Sequence, residues 1–83
     1  MREYVMNSSY RMRVLEAIGD DIMRPHRIAI KSNVLNNHIS TTLMQLREKG
    51  LVELINPEMP RGRLYRLTDD GKRILNEIKG GKF

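Results

Sequence analysis

The stretch "NNHISTTLMQLREKGLV", residues 36–52, concentrates the side chains best suited to recognition. Asn37, His38, Ser40, Thr41 and Gln45 offer short hydrogen-bonding groups at helical spacing, with Met44 among them and no acid before Glu48. Carboxylates normally favour the first turn of a helix, where they meet its positive end. A first turn without any suits a helix that lies against something negatively charged and reads it. No Gly-flanked nucleophile, phosphate-binding loop or metal-ligand spacing accompanies these residues, so an enzyme is not expected. His26 and His38 fall on different predicted elements and there is no cysteine, so neither a metal nor another cofactor is expected.

Charge placement supports the same reading. The 83 residues carry a formal net charge of +5, which by itself is weak evidence for an anionic partner. Residues 22–47 and 59–68 together hold seven basic side chains and no acidic one, while the rest of the chain holds eight basic against all ten acids. The two basic windows contain Arg24, Arg27, Lys31 and Arg47 in the first, and Arg61, Arg63 and Arg66 in the second. Arg27 and Lys31 stand four apart and so share one helical face. No apolar run is long enough to span a bilayer, and "MREYVMNSSY" has no apolar signal core, so a cytoplasmic location is expected.

These windows need elements to hold them. Length and composition, with 40% hydrophobic and 30% charged residues, fit one small domain over 1–83 with its core at about 9–78. A first helix starts near Ser8 or Ser9, directs Tyr10, Val14, Leu15, Ala17 and Ile18 inward, and ends at "GDD". "IMRP" reads as an isolated edge strand, because Pro25 keeps Arg24 extended. Pro25 then opens a second helix to about Ser32, with Ile28, Ala29 and Ile30 inward and Asn33 as its left-handed end. The third helix runs from Asn36 or Asn37 to Lys49 and buries Ile39, Leu43 and Leu46. "LVELI" and "RLYRL" read as strands around the Pro- and Gly-rich tip "NPEMPRG". Tyr65 is expected on the hairpin's core face or its rim. Thr68 or Asp69 caps a last helix that buries Ile74, Leu75 and Ile78. Gly80 and Gly81 read as a tail, and the scattered methionines Met6, Met12, Met23, Met44 and Met59 as core filling or a subunit interface.

The order predicts an α+β, mostly helical fold: a winged helix-turn-helix with a three-helix core, a two-stranded β-wing hairpin and a C-terminal helix. In "RPHRIAIKSNV", "LREKGLV" and "RGRLYRLTDDGKRIL" the chain resembles the MarR/ArsR-type winged-helix transcriptional regulators, the small archaeal members especially. That resemblance implies sequence-specific binding of double-stranded DNA by a transcriptional regulator, with repression as the expected role. The recognition helix, about 37–49, would enter the major groove and present Asn37, His38, Ser40, Thr41, Met44 and Gln45. Asn and Gln can engage adenine, and Thr offers a hydroxyl and a methyl to thymine. The wing, about 55–63, would lie on the minor groove or backbone through Arg61, Gly62 and Arg63, while Arg27 and Lys31 contact phosphates. Many family members carry Arg where Thr41 stands, so Thr41 and Thr42 make this face short and uncharged. The resemblance also implies a homodimer, and the apolar residues left over for it are Tyr4, Val5 and Met6 with Ile74 and Ile78 of the last helix. The competing reading is a winged-helix protein–protein interaction module in a transcription-related assembly, docking its basic face on an acidic partner. RNA binding lacks support, because only 5% of the chain is aromatic and little is available to stack on bases.

Overall fold

An additional helical turn precedes the first helix expected from the sequence. The computed structural model describes residues 1–80, and its elements run α1 Arg2–Met6, α2 Ser9–Ile18, α3 Pro25–Ser32, α4 Asn36–Glu48, β1 Val52–Leu54, β2 Tyr65–Leu67 and α5 Asp69–Lys79. Gly81, read as part of a tail, lies outside the described residues. Five residues are too few to hold a helix by themselves, and tertiary contacts hold α1. Val5 is fully buried. The Arg11 guanidinium lies 3.8 Å from the centroid of the Tyr4 ring and donates from Nη1 to the Tyr4 carbonyl at 2.7 Å.

Ser8 caps α2, its hydroxyl accepting from the Arg11 amide at 3.3 Å. Val14, Leu15, Ala17 and Ile18 face the core as expected. Tyr10 does not: it is exposed, its ring set against that of His38 on α4 and not in the core. The helix α3 has Pro25 at its first turn and ends at Asn33 in the left-handed region (φ 59°), where a short polar side chain tolerates positive φ. Ile28 and Ala29 are buried, but Ile30 points outward and is 64% exposed, since its neighbours at 28 and 29 already occupy the inward side of this short helix.

Arg13 closes the turn between α3 and α4. Its Nε donates to the Ser32 carbonyl at 3.1 Å and its Nη2 donates to the Asn33 carbonyl. A cation there satisfies carbonyls the helix end leaves open and complements the helix dipole. Arg13→Ala is expected to destabilise the fold by about 1–2 kcal/mol. Arg13→Lys restores little of this, because an ammonium lacks the fork that spans two carbonyls. A lower urea midpoint at unchanged slope would register the loss.

Ile39, Leu43 and Leu46 of α4 are buried. Gly50, at φ +74°, turns the chain out of α4 into the hairpin. The strands pair antiparallel, with Val52 opposite Leu67, Glu53 opposite Arg66 and Leu54 opposite Tyr65. Val52, Leu54, Tyr65 and Leu67 face the core, and Glu53 and Arg66 pair on the outer face. The "IMRP" strand is reduced to one residue: Met23 exchanges two backbone hydrogen bonds with Tyr65, at 3.0 and 2.9 Å. Thr68 caps α5, accepting from the Gly71 amide at 3.0 Å and donating its hydroxyl proton to the Gly50 carbonyl at 2.6 Å. Ile74 and Leu75 are buried, and Ile78 packs half-buried at the core's edge. The architecture is a winged helix-turn-helix with a short N-terminal helix added.

Candidate nucleic-acid interface

The helix α4 divides into three sides. Ile39, Thr42, Leu43 and Leu46 form the buried one. Thr42 therefore leaves the exposed face where the sequence reading put it, and its hydroxyl donates back to the His38 carbonyl at 2.8 Å, a common fate for a buried helical threonine. Opposite lie Asn37, Ser40, Thr41 and Met44, all exposed.

Two of the six expected recognition residues sit elsewhere. His38 and Gln45, seven residues apart, share the flank that faces α2, and both are half-buried. The His38 ring lies 4.9 Å from the Tyr10 ring, centroid to centroid. The Gln45 side-chain oxygen accepts from Arg11 Nε at 3.3 Å. Helical periodicity alone places both residues near the outer face; the position of α2 decides that they are held from the side.

No acid occupies the first turn of α4, and no side chain caps it, Leu35 being the residue before it. The His38 amide donates to the Leu35 carbonyl at 2.9 Å, which leaves the Asn36 and Asn37 amides to an external acceptor, as at other anion-facing helix ends.

Basic side chains flank this face. The side chains of Arg24, just before α3, and Arg27, on α3, are exposed and make no ion pair or hydrogen bond among the described residues, and the same holds for Arg47 at the end of α4. Lys31 instead reaches Asp21 at 3.8 Å. Both partners are exposed, and such pairs contribute little, so an anion could compete for Lys31. Arg66 also pairs with Glu53 across the hairpin, between exposed side chains but through a direct hydrogen bond, so Glu53 offsets its charge more closely than Asp21 offsets that of Lys31.

The wing is built by Asn56, which the sequence reading missed. Its Oδ1 accepts from the Leu64 amide at 2.8 Å and its Nδ2 donates to the Gly62 carbonyl at 3.1 Å. The Ile55 amide donates to the Leu64 carbonyl at 2.8 Å, extending the ladder one step beyond β1 and β2. Asn-Pro after a strand-like run is the available signal, since Asn side chains imitate backbone groups in turns. Gly62 takes φ +67°, and Arg61, Gly62 and Arg63 are all exposed. Arg63 Nε donates to the Met59 carbonyl at 3.3 Å, whereas Arg61 makes no contact of this kind.

Among the described residues, no group of three His, Cys, Asp or Glu side chains is placed to hold a metal ion. No described helix is long and apolar enough to cross a membrane.

A winged helix-turn-helix with this arrangement has counterparts among solved structures. No protein-family model matches the sequence, and no curated protein matches it significantly. The MarR family transcriptional regulator from Silicibacter pomeroyi superposes with a TM-score of 0.75 at 22% identity, over 94% of this chain and 58% of that one. NadR in complex with 4-hydroxyphenylacetate gives a TM-score of 0.75 at 19% identity, over 95% of this chain and 60% of NadR. This chain therefore spans about three-fifths of the length of each. At these identities the likeness is one of fold.

Proposed function

We propose that this protein is a sequence-specific, double-stranded-DNA-binding transcriptional regulator, acting in the cytoplasm as a repressor and as a homodimer. One observation carries the reading: the exposed side of α4 carries no acid before Glu48, and the helix before it and the wing after it each present an exposed arginine, Arg27 and Arg61, with no ion pair or hydrogen bond among the described residues. Asn37, Ser40, Thr41 and Met44 read base edges in the major groove, with His38 and Gln45 supporting them from the flank. Arg27 and Lys31 meet phosphates beside α3. Arg61 and Arg63, turned by Gly62, approach the minor groove, whose negative potential grows where it narrows. The fold shared with a MarR family transcriptional regulator supports the same use.

Dimerisation places two such faces about one helical turn of DNA apart. Val5 and Ile74 are buried within the chain itself, which leaves Met6, the edge of Tyr4 and Ile78 as the apolar residues of the expected surface.

Fluorescence anisotropy with a labelled mixed-sequence duplex tests the proposal. With about four to six phosphate contacts per subunit, log affinity falls against log salt with a slope of roughly −4 to −5. Binding then weakens by roughly two and a half to three decades between about 50 and about 200 mM salt. Absence of binding at the lower salt would refute DNA recognition and direct the search to acidic protein partners.

A further inference from the structure

The freely exposed side of α4 is chemically narrow. Through its first three turns, residues 36–46, it carries no arginine or lysine, and bidentate Arg or Lys is the usual reader of guanine. Gln45 is engaged by Arg11 and His38 by Tyr10. Arg47 is the nearest cation on the helix, but it stands about 16 Å along the axis from Asn36. That is beyond the N-terminal part that meets base edges in helix-turn-helix proteins.

What remains is Asn37, Ser40, Thr41 and, at the centre, Met44, which is 55% exposed. An unbranched apolar side chain in the middle of a polar face gains free energy when apolar surface covers it. In the major groove that surface is the thymine C5-methyl group, and each base pair shows a distinct pattern there. The Thr41 methyl stands one turn earlier on the same side. Asn37 can bind adenine N6 and N7 together.

We propose that α4 selects A·T base pairs, with Met44 as its specificity-determining residue, covering a thymine methyl that Thr41 helps enclose. This rests on the DNA-binding reading above and gives it a substrate class: half-sites recognised through methyls and adenine edges, without guanine readout by this helix.

The test separates the two levels. The full chain is used to enrich duplexes from a randomised library, and the enriched duplex is remade with deoxyuridine for thymine, which removes the methyl and leaves base pairing intact. Enriched half-sites should be A·T at the positions facing α4, and affinity should fall about fourfold per covered methyl. In Met44→Ala, sensitivity to uracil should disappear at one thymine position while binding to the uracil duplex stays near the parent's. Thr41→Ser keeps the hydroxyl and should blunt the effect at the neighbouring position. Both sites are exposed, so neither variant threatens folding. Invariant G·C pairs facing α4, or equal affinity for thymine and uracil duplexes, would overturn the assignment while leaving DNA binding intact. So would uracil sensitivity that survives unchanged in both variants. Failure to enrich any sequence, together with salt-insensitive binding, would instead overturn the DNA-binding reading.

Discussion

Gly71→Ala is expected to destabilise the protein by about 3 kcal/mol or more, at the upper end of what overpacking costs. A Cβ at this position would lie 2.0 Å from the Leu51 carbonyl oxygen and 3.0 Å from its carbon. The obstacle is backbone, and it is held on both sides. The Leu51 carbonyl accepts from the Thr68 amide at 3.0 Å, and the Leu51 amide donates to the Leu46 carbonyl at 2.9 Å. Relief would require α5 to lift away from the start of the hairpin, withdrawing Ile74 and Leu75 from the core. Alanine's better helix propensity returns only about 1 kcal/mol. For a chain of this size the loss lowers the melting temperature by roughly 12 °C or more. Gly50→Ala is the informative comparison. It has open space around it but φ +74°, so the cost there is backbone strain alone, about 1 kcal/mol. If Gly71→Ala melted no earlier than Gly50→Ala, the docking of α5 on Leu51 would be wrong.

Removing the two free arginines that bracket α4 should have the largest effect on binding. Each phosphate contact releases about 0.9 counterion, so near 0.1 M salt each is worth roughly a decade of affinity. Arg27→Ala combined with Arg61→Ala should weaken binding about 100-fold per subunit and flatten the salt slope by about 1.8. Both side chains are exposed and make no hydrogen bond or ion pair among the described residues, so the fold should be untouched and circular dichroism unchanged. Lys31 and Arg66 already have acidic partners, and Arg66→Ala should lower affinity far less than Arg61→Ala. A double variant with the parent's affinity and slope would show that neither basic window faces phosphate.

Most of the fold was legible because its signals are local. Pro25 and Asn33 bound α3, Gly50 ends α4, Thr68 caps α5, and the Ile39, Leu43 and Leu46 stripe fixes which side of α4 is buried. What escaped depends on where elements meet. The helix α1 is too short to show a period and exists through the Arg11 contacts with Tyr4. Tyr10 and Ile30 are apolar at positions that periodicity accepts as inward, and only the packed arrangement turns them out. The site divides the same way. Asn37, Ser40, Thr41 and Met44 follow from the helical repeat, as do Arg61 and Arg63 from the turn residues around them. That His38 and Gln45 are held by α2 is a tertiary fact, and no spacing within α4 records it.

The paired hydrogen bonds between Met23 and Tyr65 carry a consequence for the order in which the chain assembles. They join Met23, ahead of the helix-turn-helix, to Tyr65 in the second strand of the wing hairpin, so forming them closes a long loop, and the entropy of that closure is cheapest once the enclosed helices and the hairpin already stand. Contacts made after the transition state show their loss in the unfolding rate. A substitution that removes one of these bonds, such as Met23→Pro, which has no amide proton to donate, should therefore speed unfolding while leaving refolding nearly unchanged, and a denaturant chevron would display the asymmetry as movement of one limb. The bridge thus acts as a latch that closes last and opens first, governing how long the recognition helix and wing stay assembled.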